Sequence, residues 1–142
     1  MPVRTANAVW ECTLHEGEGR LTVGSGAFDE KYTWSSRFES DPATNPEELL
    51  GAAHAGCFTM ALSAALERAG HPVKSVRTRA QVHLTKGESG FGISKIELIT
   101  EGDVPGIDEA TFVSHAQTAK ENCIVSRALK AVEMTVQASL VG

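Results

Sequence analysis

A single run constrains this chain more than any other feature. Asn45-Pro46-Glu47-Glu48 opens a stretch that reaches Ala69. Asn45 can N-cap, Pro46 suits the first helical position, and Glu48 falls three residues after the cap, as in a capping box. Glu47 and Glu48 also complement the positive end of a helix. Gly70 and Pro72 close the run. A helix of about 24 residues is twice the usual length, so it should be the central element of whatever forms around it. From Leu49 to Leu66, eighteen residues carry no formal charge. That is near the length needed to span a bilayer. Gly51, His54, Gly56, Thr59 and Ser63 interrupt it, and the rest is rich in alanine. Such a helix is weakly hydrophobic and fits the interior of a soluble protein, with no membrane role.

Strand patterns surround it. Ala8, Trp10, Cys12 and Leu14 alternate with Val9, Glu11 and Thr13, which predicts a half-buried strand with the first set inward. Leu21-Thr22-Val23 and a segment around Tyr32-Thr33-Trp34 read as further short strands, with Gly24 and Gly26 at the turn between them. Residues 76–84 alternate cleanly, Gly87-Glu88-Ser89-Gly90 turns the chain, and a strand follows through Ile93, Ile96, Leu98 and Ile99. Its alternation slips between Ile93 and Ile96, which predicts a bulge. Asp108 can cap a second helix carrying Phe112, Val113, Ala116 and Ala119 on one side. A short helix over 125–130 and a last strand from Val132 to Leu140 complete the chain. This order predicts an α+β fold, mostly antiparallel sheet with a long central helix, in a single domain spanning residues 1–142.

The net charge of −5 argues against a nucleic-acid surface. Residues 1–8 contain no apolar segment resembling an export signal, which places the protein in the cytoplasm. There, structural disulfides are disfavoured. The three cysteines therefore allow at most one bridge, and a transient one.

The cysteines sit in unlike settings. Cys57 lies deep in the long helix, near Gly51 and Gly56. A helical glycine costs about 1 kcal/mol relative to alanine, so this pair suggests that another backbone or a substrate comes close to Cys57. A small buried core residue is the plainer alternative for Cys57. Cys123 precedes the short helix, where free N–H groups can stabilise a thiolate, although an incidental helix-end residue fits that position too. Cys12 reads as structural, on the face with Trp10 and Leu14. A zinc site is the competing use: His54 and Cys57 share a helix face, and Cys123 could join them. Yet the chain has no Cys-x-x-Cys pair, and His71, His83 and His115 lie in unrelated contexts, His83 on a polar strand face and His115 on an exposed helix face. His54 reads better as a packed residue than as a ligand or base. No metal or other cofactor is expected. Phosphate-binding and hydrolase motifs are absent as well.

The run Asn45–Cys57, the segment Asn122-Cys123-Ile124-Val125-Ser126 and Pro105-Gly106-Ile107-Asp108 together resemble the OsmC/Ohr family, the osmotically inducible and organic hydroperoxide resistance proteins. Ser36-Arg37-Phe38-Glu39 resembles the OsmC branch. The resemblance implies an intertwined homodimer that reduces organic hydroperoxides with a thiol, as part of a stress response. It assigns Cys57 as the peroxidatic cysteine and Cys123 as the resolving one. Arg37 and Glu47 become the arginine and carboxylate that organise the site. Ile124 departs from the pattern, because proline is common there. Only a thiolate attacks a peroxide well, and Arg37 could supply the fixed positive charge that favours it. Attack would leave a sulfenic acid on Cys57, which Cys123 would trap as a disulfide before over-oxidation. An external dithiol would reopen the bridge, a lipoyl dithiol being one candidate.

Glu47 and Cys57 are ten residues apart, about 15 Å along a straight helix, so one Arg37 cannot serve both in that helix. Either the helix breaks near Gly51 or the site combines residues of two subunits; the Gly/Ala stretch favours the second. A non-catalytic dimeric stress protein that binds a small apolar ligand is the alternative from another class.

Overall fold

In the computed structural model, which describes all residues 1–142, the capped run folds as one unbroken helix, α2, Pro46–Arg68. Asn45 Oδ1 accepts the Glu48 N–H at 2.8 Å, as an N-cap should. The Glu48 carboxylate accepts from the Thr44 hydroxyl instead of closing the box on Asn45. Gly70, with φ of +88°, ends the helix as expected. The sequence divides into two compact units, Met1–Leu49 and Leu50–Gly142, just beyond the first turn of α2.

The first unit is an antiparallel meander of β1 (Ala6–Glu11), β2 (Glu18–Val23) and β3 (Asp29–Tyr32), followed by a short helix α1 (Trp34–Phe38). Gly19 pairs with Trp10 on one side and Tyr32 on the other. Those two rings meet edge-on across it at 5.3 Å, and a Cβ at Gly19 would overlap both. Two strand expectations need correcting here. The segment around Tyr32-Thr33-Trp34 does not continue as strand. Thr33 Oγ1 accepts the Ser36 N–H while the Ser36 hydroxyl accepts the Thr33 N–H, and this reciprocal cap starts a helix at Trp34. Cys12 and Leu14 are exposed rather than inward. Cys12 has a φ of 72°, which ends β1 at Glu11, and the Thr13 carbonyl then accepts from Trp10 Nε1 and the Gly17 N–H in a local turn.

The second unit holds most of α2, a hairpin of β4 (Ser75–Gly87) and β5 (Gly90–Asp103), helices α3 (Glu109–Asn122) and α4 (Ile124–Ala128), and β6 (Glu133–Leu140). The bulge falls where the alternation slipped: His83 pairs with Lys95 and Leu84 with Ile93, leaving Ser94 over. β6 runs parallel to β5, the one parallel pair among strands that otherwise pair antiparallel; an isolated bridge between Tyr32 and Thr44 is also parallel. Asp108 caps α3 through the Thr111 N–H, and that helix buries Phe112, Ala116 and Ala119. These join Phe58, Leu62, Leu66, Ile96, Leu98 and Cys123 in a single core. Each large apolar side chain buried there contributes about 1.5–3 kcal/mol before entropy is counted.

α2 wears two faces. Glu47, Gly51, His54, Phe58, Leu62 and Leu66 form a buried stripe at three- and four-residue intervals. Ala52, Ala53, Gly56 and Met60 are exposed on the other side, Met60 to 76%. The two glycines therefore have separate reasons. At Gly51 a Cβ would lie 3.3 Å from Val82 of β4, a close helix–strand approach, whereas at Gly56 it would meet open space. By length and composition alone, α2 could cross a membrane.

Candidate active site

Arg37 is held over Glu47 by local chemistry at the start of α2. The Ser36 hydroxyl donates to the Thr44 carbonyl at 2.8 Å, and Asn45 Nδ2 donates to the Ser36 carbonyl at 3.0 Å. Asn45 thus caps α2 with one amide atom and ties down α1 with the other. Arg37 Nε donates to Glu47 Oε1 at 2.6 Å. The pair is asymmetric, with Arg37 43% exposed and Glu47 only 9%. Glu47 Oε2 is buried without a partner. Arg37 also lies over the Phe38 ring at 5.3 Å. A cleft of about 220 Å³ opens beside it, lined by Trp10, Leu14, Tyr32, Thr33, Trp34 and Phe38 with Arg37. A cation on a wall rich in aromatic side chains suits a small molecule with an apolar body and one polar or developing-anionic end.

The two cysteines belong to the second unit. Cys57 is half-buried and packs against the core cluster that contains Cys123. Cys123 is 2% exposed and forms the junction itself, ending α3 and capping α4. Its sulfur accepts the Ser126 N–H at 3.3 Å and donates to Ser126 Oγ at 3.2 Å. Ile124 takes the first position of α4, the place a proline would favour, and α4 forms without one.

Two residues join this picture without having been singled out for a role. Ser126 is 3% exposed, and its hydroxyl lies 2.7 Å from His54 Nε2. His54 is fully buried, and its Nδ1 has no hydrogen-bond partner. Burial holds the imidazole below its ordinary pKa of 6.5, so it is neutral at physiological pH. A continuous chain thus runs from His54 through Ser126 to Cys123. The spacing Cys123-x-x-Ser126 is that of a cap and its third residue, the one sequence signal that pointed to Ser126. Nothing local announces His54, whose partner is 72 residues away.

The other histidines lie apart. His83 is exposed and 2.9 Å from Glu97. His115, expected to be exposed, is half-buried, and its Nδ1 lies 2.9 Å from the Thr111 carbonyl of the preceding turn. No three His, Cys, Asp or Glu side chains are arranged to hold a metal ion.

Residues 39–137 match the family described as OsmC-like protein. Over 138 residues, 96% of each chain, the sequence is 46% identical to Peroxiredoxin OsmC of Escherichia coli. Among solved structures, an organic hydroperoxide resistance protein from Elizabethkingia anophelis superposes with a TM-score of 0.75 at 21% identity, covering 99% of this chain and 98% of that one. The organic hydroperoxide resistance protein OhrB of Bacillus subtilis gives a TM-score of 0.70 at 24% identity, covering 96% and 98%. At these identities the two structures speak to the fold.

Proposed function

The chain belongs to the OsmC family and is a peroxidase, and we propose that it reduces organic hydroperoxides to alcohols through a Cys57 sulfenic acid and a Cys57–Cys123 disulfide. Two sulfurs of contrasting environment carry this reading: half-buried Cys57 packs against the same core cluster that encloses buried Cys123. A thiol that meets substrate must be reachable, and a thiol that waits for an intermediate is better shielded.

The Cys57 thiolate attacks the terminal peroxide oxygen, the O–O bond breaks, and the alkoxide leaves as alcohol after protonation. Arg37 faces the growing negative charge, and Glu47 fixes the guanidinium through Nε, leaving its other nitrogens for thiolate and peroxide. The aromatic cleft beside Arg37 accommodates the apolar part of an alkyl or aryl hydroperoxide, which favours these over hydrogen peroxide. Cys123 then displaces hydroxide from the Cys57 sulfenic acid. A peroxidase needs a redox partner, and an external dithiol, with a lipoyl group as one form, reopens the bridge by exchange.

The active form is a cytoplasmic homodimer. α2 is unbroken through Gly51, so the remaining way to unite Arg37 and Glu47 with Cys57 is to draw them from two subunits. The exposed strip Ala52, Ala53, Gly56 and Met60 suits close packing against a second copy. The discriminating assay follows consumption of cumene or tert-butyl hydroperoxide with a dithiol. Turnover by the wild type and none by Cys57→Ser is expected. Turnover that survives Cys57→Ser overturns the proposal in favour of other chemistry, and a wild type that binds such molecules without turnover favours the apolar-ligand alternative.

A further inference from the structure

Three features of the second unit are left over once peroxide attack is accounted for. Ser126 is buried yet hydrogen-bonded on both sides, to the Cys123 sulfur at 3.2 Å and to His54 Nε2 at 2.7 Å. His54 is fully buried with Nδ1 unpartnered, an arrangement that costs about 1–3 kcal/mol unless that atom has another use. His54 also stands three residues before Cys57 on α2, so the two side chains share a helix face. The imidazole thus contacts the Cys123 network through one nitrogen and lies on the Cys57 side of the helix with its other nitrogen free.

We propose that Ser126 and His54 form a proton relay for the resolving step, one that turns Cys123 into a nucleophile only when a sulfenic acid waits on Cys57. The inference rests on the sulfenic acid and disulfide reading given above. In the step, Ser126 Oγ takes the proton from the Cys123 sulfur as its own proton passes to His54 Nε2. The Cys123 sulfur bonds to the Cys57 sulfur, and the S–O bond breaks. The departing hydroxide takes the proton from His54 Nδ1, giving water and the disulfide. Atoms and electrons balance without another reactant: the Cys57 sulfenic sulfur is reduced, the Cys123 thiol is oxidised, the thiol proton stays on Ser126, the Ser126 proton stays on His54 Nε2, and the His54 Nδ1 proton leaves in the water. Ser126 touches a reacting sulfur and His54 protonates the leaving hydroxide, so both are catalytic residues of this step.

Neutrality is what the relay requires. Burial holds His54 unprotonated at physiological pH, ready to accept. Between turnovers Cys123 stays enclosed, 2% exposed, which shields its sulfur from direct oxidation. The groove over Ser126 is lined by the charged side chains Lys120, Glu121, Arg127 and Lys130.

The test is a single turnover of the reduced homodimer with one equivalent of cumene hydroperoxide, with sulfenic acid trapped by dimedone and disulfide counted by mass spectrometry. In Ser126→Ala, disulfide formation should slow by about a hundredfold relative to sulfenic acid formation in the same sample, and the dimedone adduct should accumulate on Cys57. Ser126→Thr, which keeps the hydroxyl, should recover most of the loss. The defect should also shrink as pH rises, since hydroxide in solution can then take the thiol proton in place of the relay; mere loss of packing would slow the step equally at every pH. Disulfide formation at the wild-type rate in Ser126→Ala, or a defect independent of pH and not recovered by Ser126→Thr, overturns the relay. Failure of the underlying reading looks different: Cys123→Ser, which lacks the resolving thiol, would then give no dimedone adduct on Cys57.

Discussion

Arg37 and Glu47 on one side, and His54, Ser126 and Cys123 on the other, are built to opposite specifications. The first group carries full charges, opens on a cleft, and leaves Arg37 43% exposed. The second is buried and linked by hydrogen bonds of 2.7 and 3.2 Å. A peroxide bond needs a fixed positive charge where the alkoxide develops, and that charge must be reachable from solvent. A resolving thiol needs the reverse. In the proposed relay it is shielded from oxidant and activated by proton transfer instead of by a standing charge. In the proposed cycle, this difference means that the two half-reactions can be damaged separately.

Removing the cation should do the greater harm. Arg37→Ala is expected to slow peroxide consumption by about 10²–10³-fold, the usual cost of deleting a transition-state charge partner. Stopped-flow measurement of Cys57 sulfenic acid formation checks this, and a variant within about threefold of wild type would erase the contrast. Arg37→Lys should recover little, since a single ammonium cannot hold Glu47 through one nitrogen and face substrate through others. If the site spans two subunits, mixing inactive Arg37→Ala and Cys57→Ser homodimers should restore roughly a quarter of wild-type turnover after subunit exchange.

Cys123→Ser should leave peroxide attack running but convert Cys57 to sulfinic acid over repeated turnovers, read as a mass gain of two oxygens. Core damage comes next: Leu62→Ala should cost about 2–5 kcal/mol in denaturant unfolding, because Leu62 is fully buried in the second unit. The smallest effect concerns pH. His54 in the fold lies below its unfolded value of 6.5, so as pH falls through the window beneath 6.5 the unfolded chain takes up the proton first. The native state should therefore lose stability there, and His54→Gln should flatten that part of the profile.

The two regions also differ in how legible they were. α2 could be drawn from sequence because its signals are local: Asn45 as cap, Pro46 at the first position, Gly70 at the end. The β5 bulge was legible for the same reason, as a slip in alternation. α1 was hidden because its cap closes through Ser36, so the residues around Trp34 resembled a strand. Cys12 looked inward because a left-handed φ leaves no trace in an alternating pattern. The parallel β5–β6 pairing and the His54–Ser126 contact depend on topology, which no short window carries. For the chemistry, the family resemblance supplied Arg37, Glu47, Cys57 and Cys123, while residue spacing alone left a buried core cysteine as an open alternative.

The most direct measurement is the mass spectrum of peptides from protein treated with one equivalent of cumene hydroperoxide and no reductant. We expect one dominant cross-link, joining the peptide of Cys57 to that of Cys123, with exposed Cys12 recovered as free thiol. A bridge through Cys12, or Cys57 recovered unmodified after the peroxide is consumed, would contradict the division of labour between the two sulfurs.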